Sequence, residues 1–378
     1  MAVALHNPNF AQIGKPQGRL GLATPALVLD IASFDRNIAA MQEHCNRVGL
    51  KLRPHAKTHK SVAVAKRQLA AGAVGQCCAK LGEAEALANG GIDSILITSP
   101  IVASQAFARV GALNARMKDL MVTVDSETGV DGFARVARET KKPLKVIVDV
   151  DIGLHRTGIA PSEPALWLAQ RIKAAGLSFV GLQGYAGQIQ HIGAYEERKT
   201  KSLEALKLLG DTRDLLENNG LPCPIVSGGG TGTFNIDADA RVFTELQAGS
   251  YVFMDKQYNE VTIANGAPMP FETSLFVQTT VISNNTPGLV TTDAGFKAFA
   301  TDAGPPLLQF GAPEGATYFF FGDEQGGIFT KTRMELGSTV LCSAPHCDPT
   351  VNLHDFYHVV EGDTLVDIWP IEARGRSA

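Results

Sequence analysis

The sequence predicts an α/β fold in which an N-terminal (β/α)8 TIM-like barrel is followed by a C-terminal antiparallel β domain. From about residue 24, short β-branched runs alternate with longer segments of helical period, the signature of βα units. Eight such runs precede residue 261, the number a closed barrel needs. Beyond about residue 262 the helical period stops, and apolar and polar residues alternate between Gly and Pro turns.

In chain order, residues 1–23 are expected to pack on the β domain. The candidate barrel strands are ALVLD (26–30), KLRPHA (51–56), VGQCCA (74–79), SILITS (94–99), MVTVD (121–125), KVIVDVD (145–151), FVGLQGYA (179–186) and PIVSGGG (224–230). Between them, SFDRNIAAMQEHCNRVG and ALWLAQRIKAAG place apolar residues three and four apart and stop at Gly, as helices covering a barrel wall do. Parallel strands need a crossover of that size, and a doubly wound open sheet is the competing arrangement. The barrel is assigned to residues 24–261. Residues 262–378 are assigned to the β domain, on runs such as SLFVQTTVIS, GLVTTDAG, ATYFFFGDEQGG and GSTVLCSAP, without helices.

Composition bounds the function. A chain of 378 residues accommodates a barrel of about 250 residues and a second, smaller domain. A net charge of −4 with no basic run argues against nucleic acid and anionic lipid as partners. The N-terminus has no long apolar core behind basic residues, and no segment reaches the roughly 18 apolar residues of a membrane span. A cytoplasmic protein is expected. The six cysteines are scattered, and Cys77 and Cys78 are adjacent, so core packing is expected rather than a disulfide framework or a zinc site.

Four clusters carry chemistry. RPHAKTHK (53–60), after the second strand, packs Arg53, His55, Lys57, His59 and Lys60 into eight residues; local composition alone favours a solvated basic turn. SGGGTG (227–232), after the eighth strand, offers a run of backbone N–H groups where barrels commonly hold phosphate, though a flexible turn has the same composition. HCDPTVNLHD (346–355) gathers His346, Asp348, His354 and Asp355. Its His-x-Asp pair suits a divalent cation with open positions, and a hydrogen-bonded turn is the alternative. HRTG (155–158) and YAGQIQH (185–191) follow the sixth and seventh strands. There Arg156 suits a cofactor phenolate, Tyr185 a cofactor ring and His191 a general base, although each alone is more often structural.

RPHAKTHK, LHRTG, GYAGQIQH, SGGGTGTF, ELQAGSYVFMD, TDAGFK and PHCDPTVNLHD, in this order, resemble the D-threonine aldolase group of pyridoxal-phosphate enzymes over about residues 20–375. The resemblance implies the alanine-racemase-like fold, a homodimer with active sites at the subunit interface, and two cofactors: pyridoxal 5′-phosphate and a divalent metal, Mn²⁺ or Mg²⁺. It implies that Lys57 carries the cofactor and that Arg156 faces its phenolate. Tyr185 contacts the ring, and Gly229, Gly230, Thr231, Gly249 and Ser250 line the phosphate. His346 and Asp348 are then the metal ligands, and His191 the catalytic base. D-Serine dehydratase-like relatives carry His-x-Cys at the metal, whereas His346-Cys347-Asp348 is the aldolase form. The implied substrate is a small D-β-hydroxy-α-amino acid such as D-threonine, cleaved to glycine and an aldehyde. A D-3-hydroxyaspartate aldolase, a D-serine or D-hydroxyaspartate dehydratase, and a non-catalytic cofactor-binding protein are the alternatives. For hydroxyaspartate no dedicated Arg is evident for the second carboxylate. Two departures bear on substrate choice: DEQG (323–326) replaces a common DEHG, and Ala186 stands where relatives often have a polar residue.

Overall fold

The computed structural model describes residues 7–378, so residues 1–6 of the N-terminal segment lie outside the described residues. The chain forms two compact units. One comprises the residues as far as Ile38 together with Ser250–Asn259 and Pro270–Arg374, and the other comprises Ala39–Gly249, Glu260–Met269 and Gly375–Ala378. Among the described residues no helix is long and apolar enough to cross a membrane.

Strand β1 (Ala26–Asp30) falls in the first unit. The second unit holds eight parallel strands: β2 (Lys51–Leu52), β3 (Gln76–Cys78), β4 (Ser94–Ile97), β5 (Asp119–Val124), β6 (Lys145–Asp149), β7 (Ser178–Gly184), β8 (Ile225–Gly228) and β9 (Glu245–Leu246). Their order is β2-β9-β8-β7-β6-β5-β4-β3. The two ends of that order meet at a parallel bridge between His55 and Cys77, supported by Ala56 N–H to Cys77 O at 2.7 Å and Cys77 N–H to Pro54 O at 2.8 Å. The predicted barrel is therefore present, with one correction to its membership. ALVLD is not a barrel strand, and the eighth is the two-residue β9 inside ELQAGS.

Inside the barrel, Cys77, Leu96, Met121 and Ile147 form an apolar layer with Val180 and Ile225 against it. At the carboxyl ends of the strands the lining turns polar. The Gln183 amide donates to Thr98 O and to Asp149 Oδ1, both at 2.9 Å, and Gln247 donates to Gln183 Oε1 at 3.1 Å and to Ser227 Oγ at 2.9 Å. Fixed side chains thus floor the barrel mouth, where catalytic groups of such folds gather. Where β4, β5 and β9 begin, Arg53 forms a buried two-point pair with Glu245 at 2.7 and 3.0 Å and also donates to Ser94 Oγ at 2.9 Å. Arg53 is thus removed from the basic cluster expected around Lys57.

The first unit is built on a nine-stranded sheet. Its other strands are β10 (Leu275–Thr286), β11 (Leu289–Thr292), β12 (Leu307–Phe310), β13 (Thr317–Phe320), β14 (Gly326–Phe329), β15 (Thr339–Ser343), β16 (Phe356–Glu361) and β17 (Thr364–Pro370). β1 lies inside this sheet, antiparallel to β10 and parallel to β16, so the expected antiparallel domain contains one parallel pair. Leu22, Val28, Phe276, Leu341, Val360, Leu365 and Ile368 are buried in its core. A short helix, Cys347–Val351, is present where none was expected. All six cysteines are buried and unpaired.

Candidate active site

In the barrel unit, Lys57 is half-buried in the turn that follows the His55–Cys77 bridge. The Lys57 N–H donates to His55 Nδ1 at 3.4 Å, and His55 Nε2 lies 3.1 Å from Thr98 Oγ1. The turn is not a solvated basic one: His55, Thr58 and His59 are buried, and Lys60 is paired with the buried Glu83. Such sequestration of polar groups at a strand end is what a binding function requires.

The glycine run after β8 is shaped from within. At Gly229 (φ +73°) the backbone is left-handed, and a side chain there would collide with the Asp237 carboxylate. At Gly230 an added Cβ would stand 2.5 Å from Gln190 Oε1. Two of the run's N–H groups point inward: Gly230 donates to Asp237, and Gly232 donates to Gln190 Oε1 at 2.9 Å. What Gly230 offers to a phosphate is thus its lack of a side chain, not its donor. Burial pushes the Asp237 carboxyl up to about 7, against the hydrogen bonds from Thr233, Gly230 and Ser202. It therefore carries only part of a negative charge near neutrality, which suits a loop that is to receive an anion.

That shift has a consequence for stability. The native carboxyl keeps its proton to higher pH than an unfolded one of ordinary value 3.8, so below about pH 4 both states are protonated and nothing is lost. Stability then falls as pH rises towards 7, by a few kcal/mol on the order of magnitude set by about 1.4 kcal/mol per unit. In thermal unfolding of cofactor-free protein, Asp237→Asn should gain on the parent at pH 8 relative to pH 4.5. An equal difference at both pH values would contradict the assignment.

A fit to a phosphate-bearing cofactor is supported by a second feature. Thr58 is fully buried, and its hydroxyl has no hydrogen-bond partner among the described residues. It lies against Gly249, where an added Cβ would stand 2.6 Å from Thr58 Oγ1. Across the mouth, the Arg156 guanidinium lies 5.6 Å from the centre of the Tyr185 ring. Behind it, burial pushes Asp149 up to about 6, while Gln183, Thr157 and Arg156 hold it down. His191 is exposed after the turn Gly187–Ile189. The segment that follows is pinned by Arg198, which is fully buried and donates to Ile192 O at 2.6 Å, Gly193 O at 3.2 Å and Thr262 O.

In the other unit, His346 is extended (φ −143°, ψ 119°) and caps the helix Cys347–Val351. Its Nδ1 lies 2.6 Å from Asp302 Oδ2. A carboxylate on one imidazole nitrogen fixes the ring and leaves Nε2 for a ligand, the arrangement metal-binding histidines use. Asp348 Oδ1 accepts from Ser250 Oγ at 3.3 Å and from Cys347 Sγ at 3.4 Å. Cys347 is fully buried, and burial raises its thiol well above the usual value, so it is a core group rather than an ionised ligand. Buried Asp255 accepts the Cys347 N–H at 2.9 Å and so anchors the start of the helix. His354 and Asp355 leave the candidate set. His354 is bonded to Ala298 O at 3.0 Å and Asp355 pairs with Arg374; both line a separate cavity of about 440 Å³. Among the described residues no group of three or more His, Cys, Asp or Glu side chains is arranged to hold a metal ion. A cation on His346 and Asp348 would therefore keep open positions, as a hard divalent ion with waters or substrate does.

The alanine racemase N-terminal domain family matches residues 29–257, and a serine dehydratase domain family matches residues 274–360. A D-threonine aldolase from Arthrobacter sp is 40% identical, with 98% of this chain and 97% of the relative covered. The chain belongs to the D-threonine aldolase family. A 3-hydroxy-D-aspartate aldolase from Paracoccus denitrificans (strain Pd 1222) is 36% identical over 94% of this chain and 93% of that protein. The crystal structure of D-threonine aldolase from Filomicrobium marinum superposes with a TM-score of 0.91 at 37% identity, covering 94% of this chain and 97% of that one. Membership of the D-threonine aldolase family accounts for both the barrel and the second sheet. It does not by itself point to Thr58, Asp237, Arg198 or Asp302. No motif marks Asp237, Arg198 or Asp302, and Thr58 stands in RPHAKTHK among more conspicuous residues; each acquires its meaning from partners distant in sequence or from burial.

Proposed function

We propose that this chain is a pyridoxal-phosphate- and divalent-metal-dependent aldolase that cleaves D-threonine and related D-β-hydroxy-α-amino acids to glycine and an aldehyde. The observation that carries this reading is the end-to-end similarity to a D-threonine aldolase, 40% identity over 98% of the chain. The His346 and Asp348 pair supports it, because the residue two positions beyond the histidine is an aspartate rather than a cysteine.

In this reading Lys57 holds pyridoxal 5′-phosphate, which when bound supplies an electron sink for the pair released at the α-carbon. Gly229, Gly230, Thr231, Gly249 and Ser250 receive the phosphate, Arg156 faces the phenolate oxygen, and Tyr185 contacts the ring. A divalent ion, Mn²⁺ or Mg²⁺, on His346 and Asp348 supplies a Lewis acid for the substrate's β-hydroxyl. His191, whose imidazole can accept a proton, would take it from that hydroxyl oxygen as the Cα–Cβ bond breaks and the aldehyde carbonyl forms. Arg198 holds the carbonyls just beyond His191 and so limits where the imidazole can stand. A homodimeric, cytoplasmic enzyme completes the reading.

D-3-Hydroxyaspartate is the second substrate to test, on the strength of the 36% identical relative. Dehydration is the competing reaction, which the match over residues 274–360 and a 33% identical D-threo-3-hydroxyaspartate dehydratase from Delftia sp. (strain HT23) favour. Products decide among these: glycine and acetaldehyde from D-threonine are expected, with little from L-threonine or D-serine and a sharp loss on chelation. A 2-oxo acid with ammonia in their place would reject the aldolase reading.

A further inference from the structure

Thr58 follows Lys57 directly, is fully buried, and has a hydroxyl with no hydrogen-bond partner among the described residues. Buried hydroxyls are nearly always satisfied, because losing water without gaining a partner is unfavourable. The nearby backbone does not relieve it. The His55 carbonyl is engaged by the Thr58 N–H at 3.4 Å, and the Gly249 Cα approaches so closely that a Cβ there would stand 2.6 Å from the hydroxyl and 3.0 Å from His55 O. Valine has nearly the same shape, so packing alone does not call for a hydroxyl at this position. What the hydroxyl adds is one donor, set beside a bare stretch of backbone and one residue from the half-buried lysine.

We propose that the Thr58 hydroxyl donates its hydrogen bond to a phosphate oxygen of the cofactor carried on Lys57. This rests on the reading that Lys57 holds pyridoxal 5′-phosphate. An O–H bonded to an anionic oxygen is shorter and stronger than a neutral pair, so a single donor here has a measurable effect on affinity. It also explains why Gly249 has no side chain: a Cβ would meet the hydroxyl that must turn to the ligand. The inward-facing N–H groups of Gly230 and Gly232 leave the cradle with fewer backbone donors than its glycine content suggests, and a hydroxyl adds one.

The bond predicts effects of opposite sign on the empty and loaded protein. In Thr58→Val, affinity for pyridoxal 5′-phosphate, titrated by absorbance on cofactor-free protein, should fall roughly 10- to 100-fold. Affinity for pyridoxal, which lacks the phosphate, should stay within about twofold of the parent. The melting temperature of the cofactor-free variant should equal or exceed that of the parent, since an unsatisfied hydroxyl has been removed. Thr58→Ser should keep the parent's affinity for both ligands. Where the valine variant fails to fold, Thr58→Ala compared with Thr58→Ser isolates the hydroxyl in the same titrations. Unchanged pyridoxal 5′-phosphate affinity in Thr58→Val, or equal weakening for both ligands, overturns the inference. So does a cofactor-free variant less stable than the parent by as much as the loaded one. A parent protein that takes up no pyridoxal 5′-phosphate would instead remove the reading on which the inference rests.

Discussion

Lys57→Ala should lose aldol cleavage by at least about a thousandfold, since a group that bonds covalently to the cofactor has no neighbour able to replace it. The variant should also lose the long-wavelength absorbance of the loaded protein. The nearest amines and imidazoles are otherwise engaged: Lys60 pairs with Glu83, His55 bonds to Thr98, and His59 lies 3.3 Å from Gln76 Oε1. The check is a single-turnover assay beside an absorbance spectrum of protein incubated with pyridoxal 5′-phosphate. A variant that keeps both the colour and the rate would mean that the assigned lysine is wrong. The folded state should survive, because Lys57 is half-buried in a turn rather than in the core.

Glu245→Ala should have the largest effect on stability. Arg53 and Glu245 side chains are each 4% exposed, and removing the carboxylate strands a buried guanidinium with only the Ser94 hydroxyl. Breaking a pair of this kind costs about 3–5 kcal/mol, far more than deleting an exposed one. A double change, Arg53→Met with Glu245→Leu, should recover most of the loss, because both charges are then gone together. Denaturant unfolding of the three variants would test this. Destabilisation of the double variant beyond the single one would show that the pair acts through more than mutual compensation.

Much of the fold was legible because periodicity is local. Alternation of strand-like and helix-like runs gave a barrel of eight strands followed by a different texture. The misplaced member has a physical cause: ALVLD is buried along most of its length whether it stands in a parallel barrel or between two partners of a second sheet, so both sites select the same residues. The true last barrel strand, Glu245–Leu246, is too short to show any period. Sequence proximity misled at Arg53 as well. Arg53 precedes the turn that holds Lys57, and its side chain goes instead to Glu245 and Ser94. The motif residues were visible because their types are unusual together. Asp302, which orients His346, and Asp237, which shapes the glycine run, were not visible, since an isolated Asp in a polar loop gives no sign of the partner it meets.

The position of β1 also sets a timetable. Its hydrogen bonds run to β10 on one side and β16 on the other, so residues 26–30 emerge from the ribosome long before either neighbour exists. All eight barrel strands are synthesised in that interval, and each of β4 to β9 can pair with a strand already made. The barrel can therefore close on the nascent chain, while ALVLD, an apolar segment made for two flanking partners, waits exposed for residues 275–286 and then 356–361. The synthesis of residues 275–361 is thus the stage at which this chain most depends on being kept from other apolar surfaces.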